Sequence, residues 1–164
     1  MRCDREVSGT DMYNFLEKFE FKFGPLVQTM GDSLCNEKES LTCVTIPQEV
    51  LQDCHFNVVH PVVLDAVLQA TAIFNVDTSV ANTEQAIWLP HKIENMVISG
   101  LPYRCSFVYV QKVYRDDDVY LVNAALLDNT GTVLIECRNI KCQRVKGTKS
   151  GEDAFGYSVG WREV

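Results

Sequence analysis

The sequence predicts an α+β fold in which an antiparallel sheet curls around one central helix. Three observations carry this expectation. Val62 to Phe74 is strongly apolar, contains no Gly or Pro, and follows Pro61, whose missing N–H suits the first turn of a helix. Segments rich in β-branched and aromatic residues stand before and after it. The connections within each group are polar turns of hairpin type. Runs of strands around a single helix make a layered α+β architecture, and a helix this apolar has to be wrapped by the sheet.

Thr10 or Asp11 can cap a short opening helix over Met12 to Phe19, in which Met12, Phe15, Leu16 and Phe19 share one face. Gly24-Pro25 then gives a sharp turn before Leu26 and Val27. Strands are expected near Thr29 to Leu34 and Leu41 to Ile46, joined by the polar stretch Cys35 to Ser40. After the central helix, Asn75 to Gln85 is polar and reads as a loop. Ala86 to Pro90 leads into a strand over Ile93 to Ser99, with Pro90 marking an edge or a strand start. Cys105 to Tyr114 and Val119 to Leu127 are strands separated by a solvated acidic turn, Arg115 to Asp118. Asp128-Asn129-Thr130-Gly131 is a hairpin signal, and Thr132 to Val145 returns as the last strand. A sheet curled around a single buried helix is the hotdog arrangement. Residues 1–146 are expected to form it, with 147–164 a linker and the start of a following segment, as in a piece cut from a longer polypeptide.

Bulk properties narrow the function. With 164 residues, 46% hydrophobic and 23% charged, the chain suits one globular domain with a sizeable core. A formal net charge of -7 and the lack of a clustered Lys/Arg stripe argue against nucleic acid as a partner. No stretch approaches the roughly 20 apolar residues of a membrane span, so a cytoplasmic protein without membrane contact is expected. The seven cysteines are scattered and contain no C-x-x-C pair, which disfavours a disulfide framework or a structural zinc site. Cys54, His55, His60 and Asp65 match no common metal-ligand spacing, and Cys54 suits packing as a small apolar residue. No metal is expected.

The chemistry concentrates in the helix. Leu64, Leu68 and Ala72 form one apolar row, while Asp65 and Gln69, four apart, meet on another. A carboxylate in such surroundings would be desolvated, which favours proton donation near neutral pH. The same residues admit a structural reading, with Asp65 complementing the helix dipole and Gln69 solvated.

Four stretches then carry a resemblance. Phe23-Gly24-Pro25-Leu26-Val27-Gln28 looks like Tyr-Gly-Pro-x-Phe-Gln. His60-Pro61-Val62-Val63-Leu64-Asp65-Ala66-Val67-Leu68-Gln69 follows His-Pro-x-x-Leu-Asp-x-x-x-Gln/His. Leu89-Pro90 matches a Leu-Pro before a strand, and Asp128 to Val133 matches Asp-x-x-Gly-x-Val. In this order they resemble the C-terminal half of the dehydratase domain of polyketide synthases, a double hotdog, over about Met12 to Val145. Tyr157 to Trp161 is similar to the Tyr-x-x-x-Trp where such dehydratases hand over to the next domain.

The resemblance implies a hydro-lyase that removes water from a β-hydroxyacyl thioester to leave an enoyl thioester. It implies no bound cofactor, the substrate riding on the phosphopantetheine of an acyl carrier protein. Asp65 would be the catalytic acid and Gln69 its orienting partner, with Phe23, Gly24, Pro25, Leu26, Val27, His60, Pro61 and Leu64 around the substrate. The implied base is a His within H-x-x-x-G-x-x-x-x-P in the N-terminal hotdog, and none of His55, His60 and His91 has Gly four residues later. This chain alone would therefore be inactive, and its partners would be the His-bearing half, the carrier protein and neighbouring synthase domains. Phe23 stands for the usual Tyr and Val27 for the usual Phe, which removes a hydroxyl and reshapes the pocket. A silent structural hotdog and a product-template type cyclase half are the alternatives. The isolated half, with an uncovered sheet edge, is expected to self-associate.

Overall fold

The computed structural model describes residues 3–76, 86–117 and 119–146. Among these residues seven strands form one antiparallel sheet: β1 (Arg5–Val7), β2 (Met30–Cys35), β3 (Glu39–Val44), β4 (Ala86–Ile98), β5 (Phe107–Arg115), β6 (Val119–Leu127) and β7 (Val133–Lys146), in the spatial order β1-β2-β3-β5-β6-β7-β4. The helices are α1 (Gly9–Glu17), α2 (Gln48–Asp53) and α3 (Pro61–Ala70), the last continued by a 3-10 turn over Thr71–Asn75. Between β3 and β4 the chain passes over β5, β6 and β7 to the far edge, and α3 lies within this connection, against β2, β5 and β6. This is the expected helix wrapped by a sheet.

The core is the seam between them. Val63, Ala66, Val67 and Ala70 of α3 and Ile73 after it are fully buried, facing Val108, Val110, Val122, Leu126, Ile135 and Ile140 of the sheet. Strict alternation of buried and half-buried residues along β6 shows one face of the strand turned to the helix. The row expected from spacing, Leu64, Leu68 and Ala72, is not the deepest: Leu64 and Leu68 are half-buried, because the sheet covers the opposite flank of α3.

Several boundaries move for local reasons. α1 begins at Gly9 because Ser8, not Thr10 or Asp11, is the cap: Ser8 Oγ accepts from Asp11 N at 3.0 Å and donates to Asp11 Oδ2 at 2.7 Å. The apolar face over Met12, Phe15 and Leu16 is buried as expected. α3 stops at Ala70 rather than near Phe74, tightening into the 3-10 turn. β4 runs unbroken from Ala86, with a bulge between Pro90 and Lys92, and Pro90 is tolerated because β4 is an edge strand. The Asp128 hairpin forms as expected. Its Oδ1 accepts from Thr130 N and Thr132 N at 2.8 and 2.9 Å, and Gly131 takes φ 84°, a left-handed turn position. β1 and α2, three and six residues long, were not expected, since so few residues show no readable period. The expected loop lies outside the described residues over 77–85, as do 147–164 with their linker and Tyr157 to Trp161.

Candidate active site

α3 is started by His60, whose Nδ1 accepts from Val62 N at 3.2 Å, with Pro61 in the first helical position. That start fixes the phase of the helix, and the spacing of four does the rest. Asp65 and Gln69 lie one above the other, and Gln69 Nε2 donates to Asp65 Oδ2 at 2.6 Å. Gln69 is not the solvated residue of the structural reading; it is 6% exposed. Asp65 is half-buried, at the margin of the core rather than within it. Among the described residues its Oδ1 carries no hydrogen bond.

Two other segments complete the network. The Gly24-Pro25 turn folds as a 3-10 turn over Pro25–Val27, closed by Gln28 Nε2 donating to Phe23 O at 2.8 Å. It delivers the Val27 carbonyl to α3, where Gln69 Nε2 donates to it at 2.9 Å. On the other side Tyr13, from α1, donates its hydroxyl proton to Gln69 Oε1 at 2.8 Å and accepts from Met30 N at 3.0 Å. The Gln69 amide thus uses both of its ends against partners from three separate elements. Burial pushes the Tyr13 hydroxyl above its ordinary pKa of 10.0, hydrogen bonds from the Met30 and Thr29 backbone pull it back, and the Asp65 charge adds to the rise. Tyr13 therefore stays protonated, and a donor, throughout the neutral range.

The sequence-expected residues divide. Asp65 and the Val27 carbonyl each meet Gln69 directly. Phe23 is half-buried, its ring 5.8 Å from that of Tyr13, and Leu64 is half-buried on α3. Gly24, Pro25, Leu26 and Pro61 are exposed, and His60 caps the helix. A groove of about 540 Å³ runs between α1, the 21–28 segment and β2, lined by Tyr13, Phe23, Gln28 and Met30 among others, and Asp65 does not line it. Tyr13 is the residue that sequence reasoning missed. Its only signal was an aromatic ring in a helix whose apolar face was already complete without it. Among the described residues no group of three or more His, Cys, Asp or Glu is placed to hold a metal ion.

A family model described as polyketide synthase dehydratase N-terminal domain matches residues 1–152. The chain belongs to the polyketide synthase dehydratase family. Its fold is shared with solved structures of such domains. One is a trans-AT polyketide synthase dehydratase domain from Brevibacillus brevis, 20% identical, TM-score 0.76, covering 87% of this chain and 50% of that one. A second is the dehydratase domain from the CurJ module of curacin polyketide synthase, 15% identical, TM-score 0.77, covering 89% and 51%. A third, the PpsC dehydratase domain from Mycobacterium tuberculosis in complex with C12:1-CoA, is 17% identical, TM-score 0.72, covering 88% and 55%. This polyketide synthase dehydratase chain thus spans about half the length of the structures it matches. No curated protein matches it. Among the described residues no helix is long and apolar enough to cross a membrane.

Proposed function

We propose that this hotdog is the acid-bearing half of a polyketide synthase dehydratase, acting on a β-hydroxyacyl thioester presented on the phosphopantetheine of an acyl carrier protein. Asp65, protonated, gives its proton to the departing β-hydroxyl. A His from the other hotdog half takes the α proton, and the products are water and an enoyl thioester. The Gln69 amide sits on Oδ2, which leaves Oδ1 to carry the proton and face the substrate. Once the proton has gone, the amide N–H steadies the carboxylate that remains. The observation that carries this reading is the 2.6 Å contact from the buried Gln69 amide to Asp65, in register with the His60 to Gln69 motif.

The matched family bears the words N-terminal domain in its description. The assignment to the C-terminal, acid-bearing half is supported instead by the motif on α3 and by the absence from the sequence of any His followed four residues later by Gly. Phe23, Val27 and Leu64 are proposed to line the acyl path, with His60 and Pro61 holding the helix start beside it and Gly24, Pro25 and Leu26 forming its outer lip. The proposed partners are the His-bearing half, the carrier protein and the adjoining synthase domains, and the isolated half is proposed to self-associate through its free edge. The C12:1-CoA bound to the PpsC domain supports an acyl thioester as the substrate class.

Asp65→Asn in the full-length parent abolishes dehydration of a β-hydroxyacyl thioester and leaves the fold intact; undiminished turnover would refute the assignment. The silent-hotdog reading has one observation in its favour, the missing His motif. Inactivity of the wild-type parent toward every β-hydroxyacyl thioester, with a folded domain, would decide for it.

A further inference from the structure

The Gln69 amide has two ends that differ only in chemistry, so something has to decide which end Asp65 meets. We propose that the Tyr13 hydroxyl is a positioning group for Asp65, holding the Gln69 amide so that its NH2, not its carbonyl, is aimed at the carboxyl. The inference rests on the reading of Asp65 as the acid and goes beyond it by assigning a residue of α1 to the site.

The direction of the chain of hydrogen bonds is set at both ends by backbone groups that cannot exchange roles. Met30 N–H can only donate, and it donates to the Tyr13 oxygen at 3.0 Å. The phenol's own proton is then free for Gln69 Oε1, at 2.8 Å. Val27 O can only accept, and Gln69 Nε2 supplies it at 2.9 Å while also reaching Asp65 Oδ2 at 2.6 Å. Turning the amide over would place its carbonyl against two acceptors and give Tyr13 a second donor, leaving the phenolic proton without this partner. With the Tyr13 ring in place, one orientation satisfies every group.

The fold is built to bring that ring there. Gly9 opens α1 against β2 so closely that a Cβ would collide with the Met30 carbonyl. β2 is irregular between Met30 and Ser33, which accompanies the donation of Met30 N–H to a side chain. Phe23, packed on Tyr13 at 5.8 Å between ring centres, steers the ring and carries no hydroxyl to compete. These features lie on α1, β2 and the 21–28 segment, and they converge on Tyr13, whose hydroxyl holds the Gln69 amide that donates to Asp65.

The test uses the full-length dehydratase with Tyr13→Phe, which keeps the ring packing and removes the hydroxyl. The expected result is a kcat about five- to tenfold lower with KM unchanged, the scale of one hydrogen bond acting through a second residue. The Gln69 side-chain amide resonances, read by NMR with glutamine-selective labelling, shift in the variant. In a Gln69→Leu background the same substitution has little further effect on kcat, because Tyr13 acts through Gln69. An unaltered kcat in Tyr13→Phe alongside an inactive Asp65→Asn overturns the inference, as does full additivity with Gln69→Leu. If Asp65→Asn keeps its activity, the acid assignment fails on its own, and an unmoved Gln69 amide signal would then sink the positioning role as well.

Discussion

Replacing Gln69 with Leu removes three hydrogen bonds while leaving the side chain at about the same volume and depth. The two neutral bonds, from Tyr13 and to Val27 O, are worth about 0.5–1.5 kcal/mol each. The bond to Asp65 goes to a half-buried carboxyl group where water can replace the lost donor, so about 1 kcal/mol is a fair share. Leu at a site 6% exposed returns about 1 kcal/mol through burial of apolar surface. The balance is a loss of about 2 kcal/mol. With an ordinary urea dependence of about 2 kcal/mol per molar, the unfolding midpoint falls by about 1 M at unchanged slope. The assay is urea unfolding followed by fluorescence from Trp88, which is 3% exposed in the native chain. A midpoint within about 0.2 M of wild type would refute the view that Gln69 ties α1, the Gly-Pro turn and α3 together.

Other outcomes are open to simpler measurements. Gly9→Ala drives a methyl into the Met30 carbonyl and should cost about 2 kcal/mol or more by the same unfolding assay, with Tyr13 pulled away from Gln69. Gly131→Ala meets open space yet sits at φ 84°, so about 1 kcal/mol of backbone strain is expected as a lower melting temperature. Burial pushes the Cys137 and Cys142 thiols up from 9.0 to about 11. The folded chain then holds these protons more tightly than the unfolded one, so the stability they contribute is full below pH 9 and lost as pH rises through about 11. Melting temperature should fall across that window, and Cys142→Ala should flatten the fall. On the free edge β4, Met96 and Val97 are 42% and 47% exposed, and Val97→Lys should reduce self-association of the isolated half in sedimentation.

Long elements with a clear period were readable in advance, and short ones were not. β5, β6 and β7 lie close to their expected places because each has nine or more residues of β-branched and aromatic character. The Asp128 hairpin was readable because its turn has its own chemistry, a carboxylate that collects neighbouring N–H groups and a glycine in the left-handed region. β1 was hidden because a strand of three residues borrows its stability from Cys35 and Leu34 across the ladder, not from its own composition. The burial of α3 was foreseen, but its deepest stripe was displaced to Val63, Ala66, Val67 and Ala70. Periodicity names the rows of a helix without saying which one the sheet covers.

The same distinction separates Asp65 and Gln69 from Tyr13. The carboxylate and the amide are four apart on one helix, so their contact is a local consequence of helical geometry and is written in the spacing. Tyr13 lies 56 positions from Gln69, and their bond exists only because α1 and α3 both rest against β2. Nothing in the residues around Tyr13 encodes that meeting. The Gly24-Pro25 turn is an intermediate case: its sharpness was readable, but its use, presenting the Val27 carbonyl to an amide on another element, depends on the packing. The proposed site is therefore local in its carboxyl–amide pair and non-local in its support. A substitution on α1, far from Asp65 in sequence, should consequently register in the chemistry before it registers in the fold, and Tyr13→Phe is the variant in which those two effects separate.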